Sequence, residues 1–336
     1  MTPCRIFFTG KLLPVFALLL AAACATTVAI RVRVPARVYL GGVRTIALCA
    51  FETEGEVISP APMNDEGRRF TGATAAGIFA GAFTDNGYYS IVEGGKDCGP
   101  APGAQAYLYG KCTHRVTDRI TSIPAKKVTY WTAGTASARP ESASISRDRV
   151  SVARRVELTI EYRIMDAASG RVLFSDRKHA QNFDQNGCED AAVDADRSKA
   201  LLYLTPWEAI ASRLAQKIAA GCIDQIAPHW IVETRGIENG HSQQMKDALR
   251  LAKASDWESA ARLWTEAAAD SVFPGRGDRL HALSNLALYY EVREDFKKSR
   301  AILKQCYQLS HDQKYLDRES LVERRQKESN QLKKQL

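Results

Sequence analysis

Three rhythms of apolar residues divide the chain. The first is an unbroken run, Leu12–Ala23, near the amino terminus. The second is a series of short segments that alternate or stay apolar for four to eight residues, the mark of strands. The third, after Gly240, is the three-and-four spacing of amphipathic helices. Within the second, Ala29–Leu40 reads as a strand that Pro35 interrupts, which confines it to an edge or splits it. Arg44–Phe51 is almost continuously apolar after its start, as in a strand buried on both faces. Glu52–Asp65 is polar and contains proline, so a loop is expected. Glu66–Asp85 sets Ile78, Phe79, Ala82 and Phe83 in one stripe among many small residues, a helix packed closely on a sheet, and Asn86-Gly87 ends it. Tyr88–Glu93 and Gln105–Thr113 read as strands, and residues 114–150 as a polar stretch. Arg154–Asp166 alternates most clearly, with Val156, Leu158, Ile160, Tyr162 and Ile164 on one side. Ala167-Ala168-Ser169-Gly170 turns it into Arg171–Ala180 as a hairpin. A helix from Pro206 to Ala220 and a short strand His229–Thr234 follow. Helices are then predicted at Gln243–Ala254, Trp257–Ala269, Arg279–Val292 and Phe296–Ser310, with a charged helix from about Asp312.

The apolar run Leu12–Ala23 follows Arg5 and Lys11 and closes on Leu20-Ala21-Ala22-Ala23 before Cys24. A basic start, a short apolar core and small residues describe an export signal. The cysteine after the small residues resembles the lipobox of bacterial lipoproteins, although Ala21 stands where leucine is commonest. That resemblance implies acylation of Cys24, a mature chain that begins there, and an address in the bacterial envelope, lipid-anchored on the periplasmic face of the outer membrane. A cleaved, soluble export product and an uncleaved anchor are the alternatives. The run is shorter than the roughly 20 residues that span a bilayer, and Pro14 suits a leader better than a span.

A length of 336 residues accommodates two domains of ordinary size, and 45% hydrophobic with 25% charged residues is normal for globular protein. The net charge is +8, and removal of Arg5 and Lys11 leaves about +6. That balance suits an anionic membrane surface or an acidic partner. Nucleic acid is not an expected partner, since no basic–aromatic motif is present. Of eight cysteines, Cys4 leaves with the leader and Cys24 is the lipid site. The other six allow fifteen connectivities. Nearness in sequence favours Cys98 with Cys112, and Cys188 with Cys222. Cys49, inside an apolar run, reads as a buried thiol, and Cys306 lies on a helix face. No CxxC spacing supports a metal site.

In the helical part, Ala248, Leu251, Ala260, Trp264 and Ala267 are followed 39 residues later by Ala287, Tyr290, Ser299, Leu303 and Cys306 in the same spacing. This pattern, with Asp256-Trp257-Glu258-Ser259-Ala260-Ala261, resembles the tetratricopeptide repeat over residues 241–311. The extra length falls in the loop Phe273–Asp278. The resemblance implies stacked helical hairpins with a concave groove for a peptide or helix. Leu251, Trp264 and Tyr290 would line the groove as packing residues, and Arg250 and Lys253 as exposed contacts. The helix at Tyr315–Leu336 would cap the stack.

Arg44–Phe51, Gly87–Glu93 and Val156–Ser175, with its corner Asp166–Gly170, resemble the periplasmic lipoprotein superfamily that contains the curli secretion protein CsgG and the synthase activator LpoB. The resemblance spans about residues 30–235 and implies an α/β fold, a mixed β-sheet flanked by helices, whose members bind and assemble rather than catalyse. The expected organisation is then a leader over 1–23, a lipidated tether and first strand over 24–43, a CsgG/LpoB-like α/β domain over 44–236, an all-α repeat domain over 241–311 and a capping helix over 312–336.

Catalytic signatures are missing from the sequence: no GxSxG, Walker loop, HExxH or GxGxxG occurs. The six histidines are scattered. The acidic stretch Asp184–Asp196 lacks the glycine and terminal glutamate of an EF-hand and reads as a solvated loop. Arg276-Gly277-Asp278 matches an adhesive tripeptide but equally a tight interhelix turn. The expected function is a non-enzymatic, cofactor-free scaffold or assembly factor that binds other envelope proteins or peptides. The alternative is an oligomeric outer-membrane secretion channel, which would need a membrane hairpin from residues 125–160, Val128–Thr135 with Val150–Leu158. Homo-oligomerisation is left open.

Overall fold

The computed structural model describes residues 26–60, 70–94, 98, 101–123, 149–187, 201, 204–269 and 276–336. In chain order its strands are β1 (Thr27–Val34), β2 (Thr45–Leu48), β3 (Glu52–Ile58), β4 (Ser90–Glu93), β5 (Ala106–Ile123), β6 (Arg149–Asp166), β7 (Val172–Gly187) and β8 (His229–Gly236). Its helices are α1 (Gly72–Asn86), α2 (Trp207–Ile226), α3 (Gln243–Lys253), α4 (Trp257–Ala269), α5 (Arg276–Val292), α6 (Phe296–Ser310) and α7 (Lys314–Gln335). Two compact units result: Ala36–Ala227, and Pro228–Leu336 together with the amino-terminal segment through Pro35.

In the unit Ala36–Ala227 six strands form one mixed sheet, β4-β2-β5-β6-β7, with β3 also beside β5. β2 pairs in parallel with the start of β5 and β3 with Lys111–Thr117 further along it. β5, β6 and β7 form a long antiparallel meander. α1 and α2 pack side by side on one face. Ile46, Leu108, Leu158, Ile160 and Ile164 from the strands meet Phe79, Phe83, Ile210 and Ile226 from the helices, all fully enclosed. Each such side chain stabilises the fold by about 1.5–3 kcal/mol relative to exposure. α1 starts at Thr71, whose hydroxyl accepts the Thr74 N–H at 3.2 Å in a capping box, and ends on Gly87 at φ 71°. The corner after β6 is as expected. The Asp166 carboxylate accepts the Ser169 N–H at 2.8 Å and its hydroxyl at 2.6 Å, and Gly170 takes φ 67°.

Several expectations change. Glu52–Ile58, read as loop, is a strand whose seven residues are all exposed, so no burial pattern announced it. The polar stretch after Thr113 continues β5 to Ile123, and Val150–Leu158 lies within β6 between β5 and β7. Of the hairpin that a channel would need, Val150–Leu158 is thus part of β6, and Val128–Thr135 lies outside the described residues. The disulfide joins Cys49 to Cys98, with Cα atoms 5.1 Å apart, rather than Cys98 to Cys112. Sheet adjacency decides this: β2 and β4 are neighbours, and the Gly94 N–H extends their pairing to Leu48 O at 2.9 Å. Cys112 and Cys222 are instead buried free thiols, each pushed up to about 12 by burial and so protonated and inert. Cys188 and Cys24 lie outside the described residues.

In the other unit α3 to α7 stack in sequence, each against the next. Ala248, Ala260, Trp264 and Ala267 are enclosed between helices, as are Ala287, Ser299, Leu303 and Cys306. β8, expected to end the α/β domain, pairs instead with β1 as an antiparallel two-stranded ribbon belonging to this helical unit. Arg276-Gly277-Asp278 forms the first turn of α5, not a loop, and the Asp278 carboxylate accepts the N–H groups of His241 and Ser242 at 2.8 Å each.

Candidate functional site

Two surfaces come into question, one in each unit. In the helical unit the ribbon lies against α3, α5 and α7. Alternation turns Val28, Ile30 and Val32 inward onto Leu288 and Val292 of α5 and onto Trp257. From β8, buried Arg235 donates through Nε and Nη2 to Glu291 Oε1 at 3.1 and 3.0 Å, and also binds Glu233. Past the end of β8, Asn285 of α5 and the backbone of Glu238 exchange two hydrogen bonds, at 2.8 and 2.9 Å. Lys314 at the start of α7 pairs with Glu238 at 3.2 Å. A hollow of about 700 Å³ remains beside this ribbon, edged by His281, Glu291 and Arg318.

The residues expected to line an open groove do not form one. Trp264 is fully enclosed in the helical core and inaccessible to a ligand, because its indole fills the space that the small residues of α3 and α4 leave. Leu251 packs on the same cluster. Tyr290 is half-buried, with the Lys298 ammonium 5.2 Å from its ring centre. Arg250 and Lys253 are exposed, and Arg250 pairs with Asp247 of its own helix at 3.1 Å.

The second surface is the face of the meander turned away from α1 and α2. Inward positions of β5 and β6 are enclosed: Val116, Val152, Val156 and the pair Asp118–Arg154. Arg154 grips Asp118 with two parallel bonds at 2.7 and 2.8 Å and donates a third to Thr205 O at 2.9 Å. The period of two therefore sends Arg115, Arg119 and Arg155 outward, with Phe183 directly across from Arg155. Together they edge a shallow hollow of about 940 Å³. Arg155 is held by Glu157 at 2.9 Å and Gln181 at 2.7 Å, and Arg115 pairs loosely with Glu56 at 3.5 Å. Arg119 meets no carboxylate among the described residues. Phe183 is 63% exposed, unusual for a phenylalanine on a strand. The sequence does not announce this surface, because residues 114–150 read as a polar stretch; the alternation Arg115, Thr117, Arg119, Thr121 is the available signal.

Buried groups elsewhere serve the fold. His114 stacks on Trp207 with ring centres 5.0 Å apart and lies against Gly55, where a Cβ would stand 2.0 Å from the imidazole. Burial holds the His114 pKa below its ordinary value. No group of three or more His, Cys, Asp or Glu side chains converges among the described residues. No helix among them is long and apolar enough to cross a membrane.

Residues 246–334 match a family described as a domain of unknown function, DUF6340. No curated protein matches the sequence. Among solved structures, the chain is similar to a PelC dodecamer subunit from Paraburkholderia phytofirmans at 12% identity and TM-score 0.25, over 61% of this chain and 100% of that one. It is similar to a DUF330 protein from Xanthomonas campestris at 9% identity and TM-score 0.27, over 56% and 85%. A protein from Caulobacter crescentus described as a lipoprotein aligns at 13% identity and TM-score 0.20, over 52% and 85%. Likeness at this level assigns neither an activity nor an assembly to the chain.

Proposed function

We propose that this is a lipid-anchored bacterial envelope protein that binds another envelope protein through the open face of its sheet unit and catalyses no reaction. The observation that carries the reading is the face of β5, β6 and β7 that bears Arg115, Arg119, Arg155 and exposed Phe183. Arginines around an aromatic anchor fit a partner surface that is acidic with an apolar centre. On the helices, Leu288, Val292 and Trp257 already hold β1 and β8 of the same chain. In this reading α3–α6 are two tetratricopeptide-like hairpins capped by α7, and the sheet unit is the CsgG/LpoB-like domain. Anchorage rests on Cys24 and the leader before it.

Site-specific photocrosslinking in the native host tests the binding face. A crosslinker in place of Phe183 is expected to give one discrete adduct, lost when Arg119→Glu and Arg155→Glu are combined. A crosslinker in place of Tyr290 is expected to give none. An adduct from the Tyr290 position alone would move binding to the helices and overturn the proposal.

A further inference from the structure

The ribbon has a second face. Alternation that turns Val28, Ile30 and Val32 onto the helices turns Ala29 and Arg31 of β1 outward, with Arg33 half-buried beside them. In the antiparallel register these stand opposite Thr234, Val232 and Trp230 of β8. Val232 is 67% exposed and Trp230 58%, and the Arg31 guanidinium sits 5.3 Å from the Trp230 ring centre. The face carries two cations and no anion, because Glu233 of β8 points inward. Exposed tryptophan and valine beside arginine is the composition that settles at the level of lipid headgroups, the ring in the interface and the cations at anionic phosphates.

Chain connectivity points the same way. Only Ala25 and Thr26 separate Cys24 from the first residue of β1, so even a fully extended link spans about 11 Å. An acyl chain on Cys24 would therefore hold the start of the ribbon within reach of the headgroups.

We propose that the outer face of the β1/β8 ribbon, with Trp230, Val232, Arg31 and Arg33, lies on the anionic phospholipid surface beside the anchor. This rests on the reading of Cys24 as the acylated residue. The acylated full chain reconstituted into phosphatidylethanolamine–phosphatidylglycerol vesicles, with brominated acyl chains in part of the lipid, reads out the contact. Tryptophan emission is expected to be quenched, and the quenched fraction to fall in Trp230→Phe. The unacylated Cys24→Ser protein is expected to bind the same vesicles in a salt-sensitive way, roughly tenfold more weakly when Arg31→Glu and Arg33→Glu are added. Equal quenching in wild type and Trp230→Phe overturns the proposal. So does a dimer that Trp230→Phe dissolves without any lipid contact, which would make the face a self-interface. Labelled palmitate separates the two ideas. Label without Trp230 quenching leaves the anchor and removes the ribbon contact. Trp230 quenching without label does the reverse, and neither result leaves neither claim.

Discussion

Both units bury an arginine against a carboxylate, but the two pairs join different things. Asp118 and Arg154 face each other directly across β5 and β6, so their bond fixes the register of one sheet. Arg235 and Glu291 link a strand to a helix, so their bond fixes how the ribbon is seated. The first pair is nearly sealed, at 0% and 6% side-chain exposure, and closed by Ser59 and Thr205. The second is shared with Glu233 and opens on a hollow. One chemistry thus serves local alignment in one unit and long-range seating in the other. Loss of the carboxylate is therefore cushioned in the second pair, where Glu233 still serves the arginine.

The largest way to break this contrast is Asp118→Ala. It removes both bonds that Asp118 makes to the buried Arg154 guanidinium, and a loss of about 3–5 kcal/mol is expected in urea unfolding of the sheet unit. Adding Arg154→Met to Asp118→Ala should recover much of that loss, since it takes the buried cation away together with the carboxylate that served it. Failure of the second change to restore stability would show that the pair is not the source.

Glu291→Ala sharpens the other half. Glu233 still serves Arg235, so the expected cost is smaller, about 1–3 kcal/mol. Amide hydrogen exchange should rise in β1 and β8 and stay unchanged in β5, β6 and β7. Uniform loss of protection across both sheets would deny the ribbon its separate seating.

The smallest effect concerns pH. His114 is neutral when folded, because burial disfavours its charged form and lowers its pKa, whereas an unfolded histidine titrates near 6.5. Between those values the unfolded chain binds the extra proton, so stability falls as pH drops through about 6.5 and levels off below the folded pKa. Thermal unfolding from pH 7.5 to 5 should show this slope in the wild type, and a flatter one in His114→Gln.

What the sequence made legible depended on burial having a simple sign. β6 and the first part of β7 were readable because Val156 to Ile164 are apolar and enclosed on alternate positions. The second half of β5 was not, since one of its inward residues is charged: Asp118 satisfies burial through Arg154 rather than through apolarity. β3 gave no signal because it is exposed throughout and held by backbone pairing and surface ion pairs such as Glu54 with Lys111 at 2.8 Å. The disulfide was misassigned because distance along the chain stood in for adjacency in the sheet. At Trp264 the repeat-like spacing reports helix–helix contact, since its side chain is completely buried. The arginine face was hidden for the reason that β5 was.

The pairing of β1 with β8 also orders events in time. Val28 meets Arg235 across more than two hundred residues, so β1 has no partner until nearly the whole sheet unit has been made. The sheet unit, whose contacts lie between those strands, can close early, while the ribbon has a high contact order and forms late. An amino-terminal strand kept waiting in this way is a natural client for a holdase chaperone.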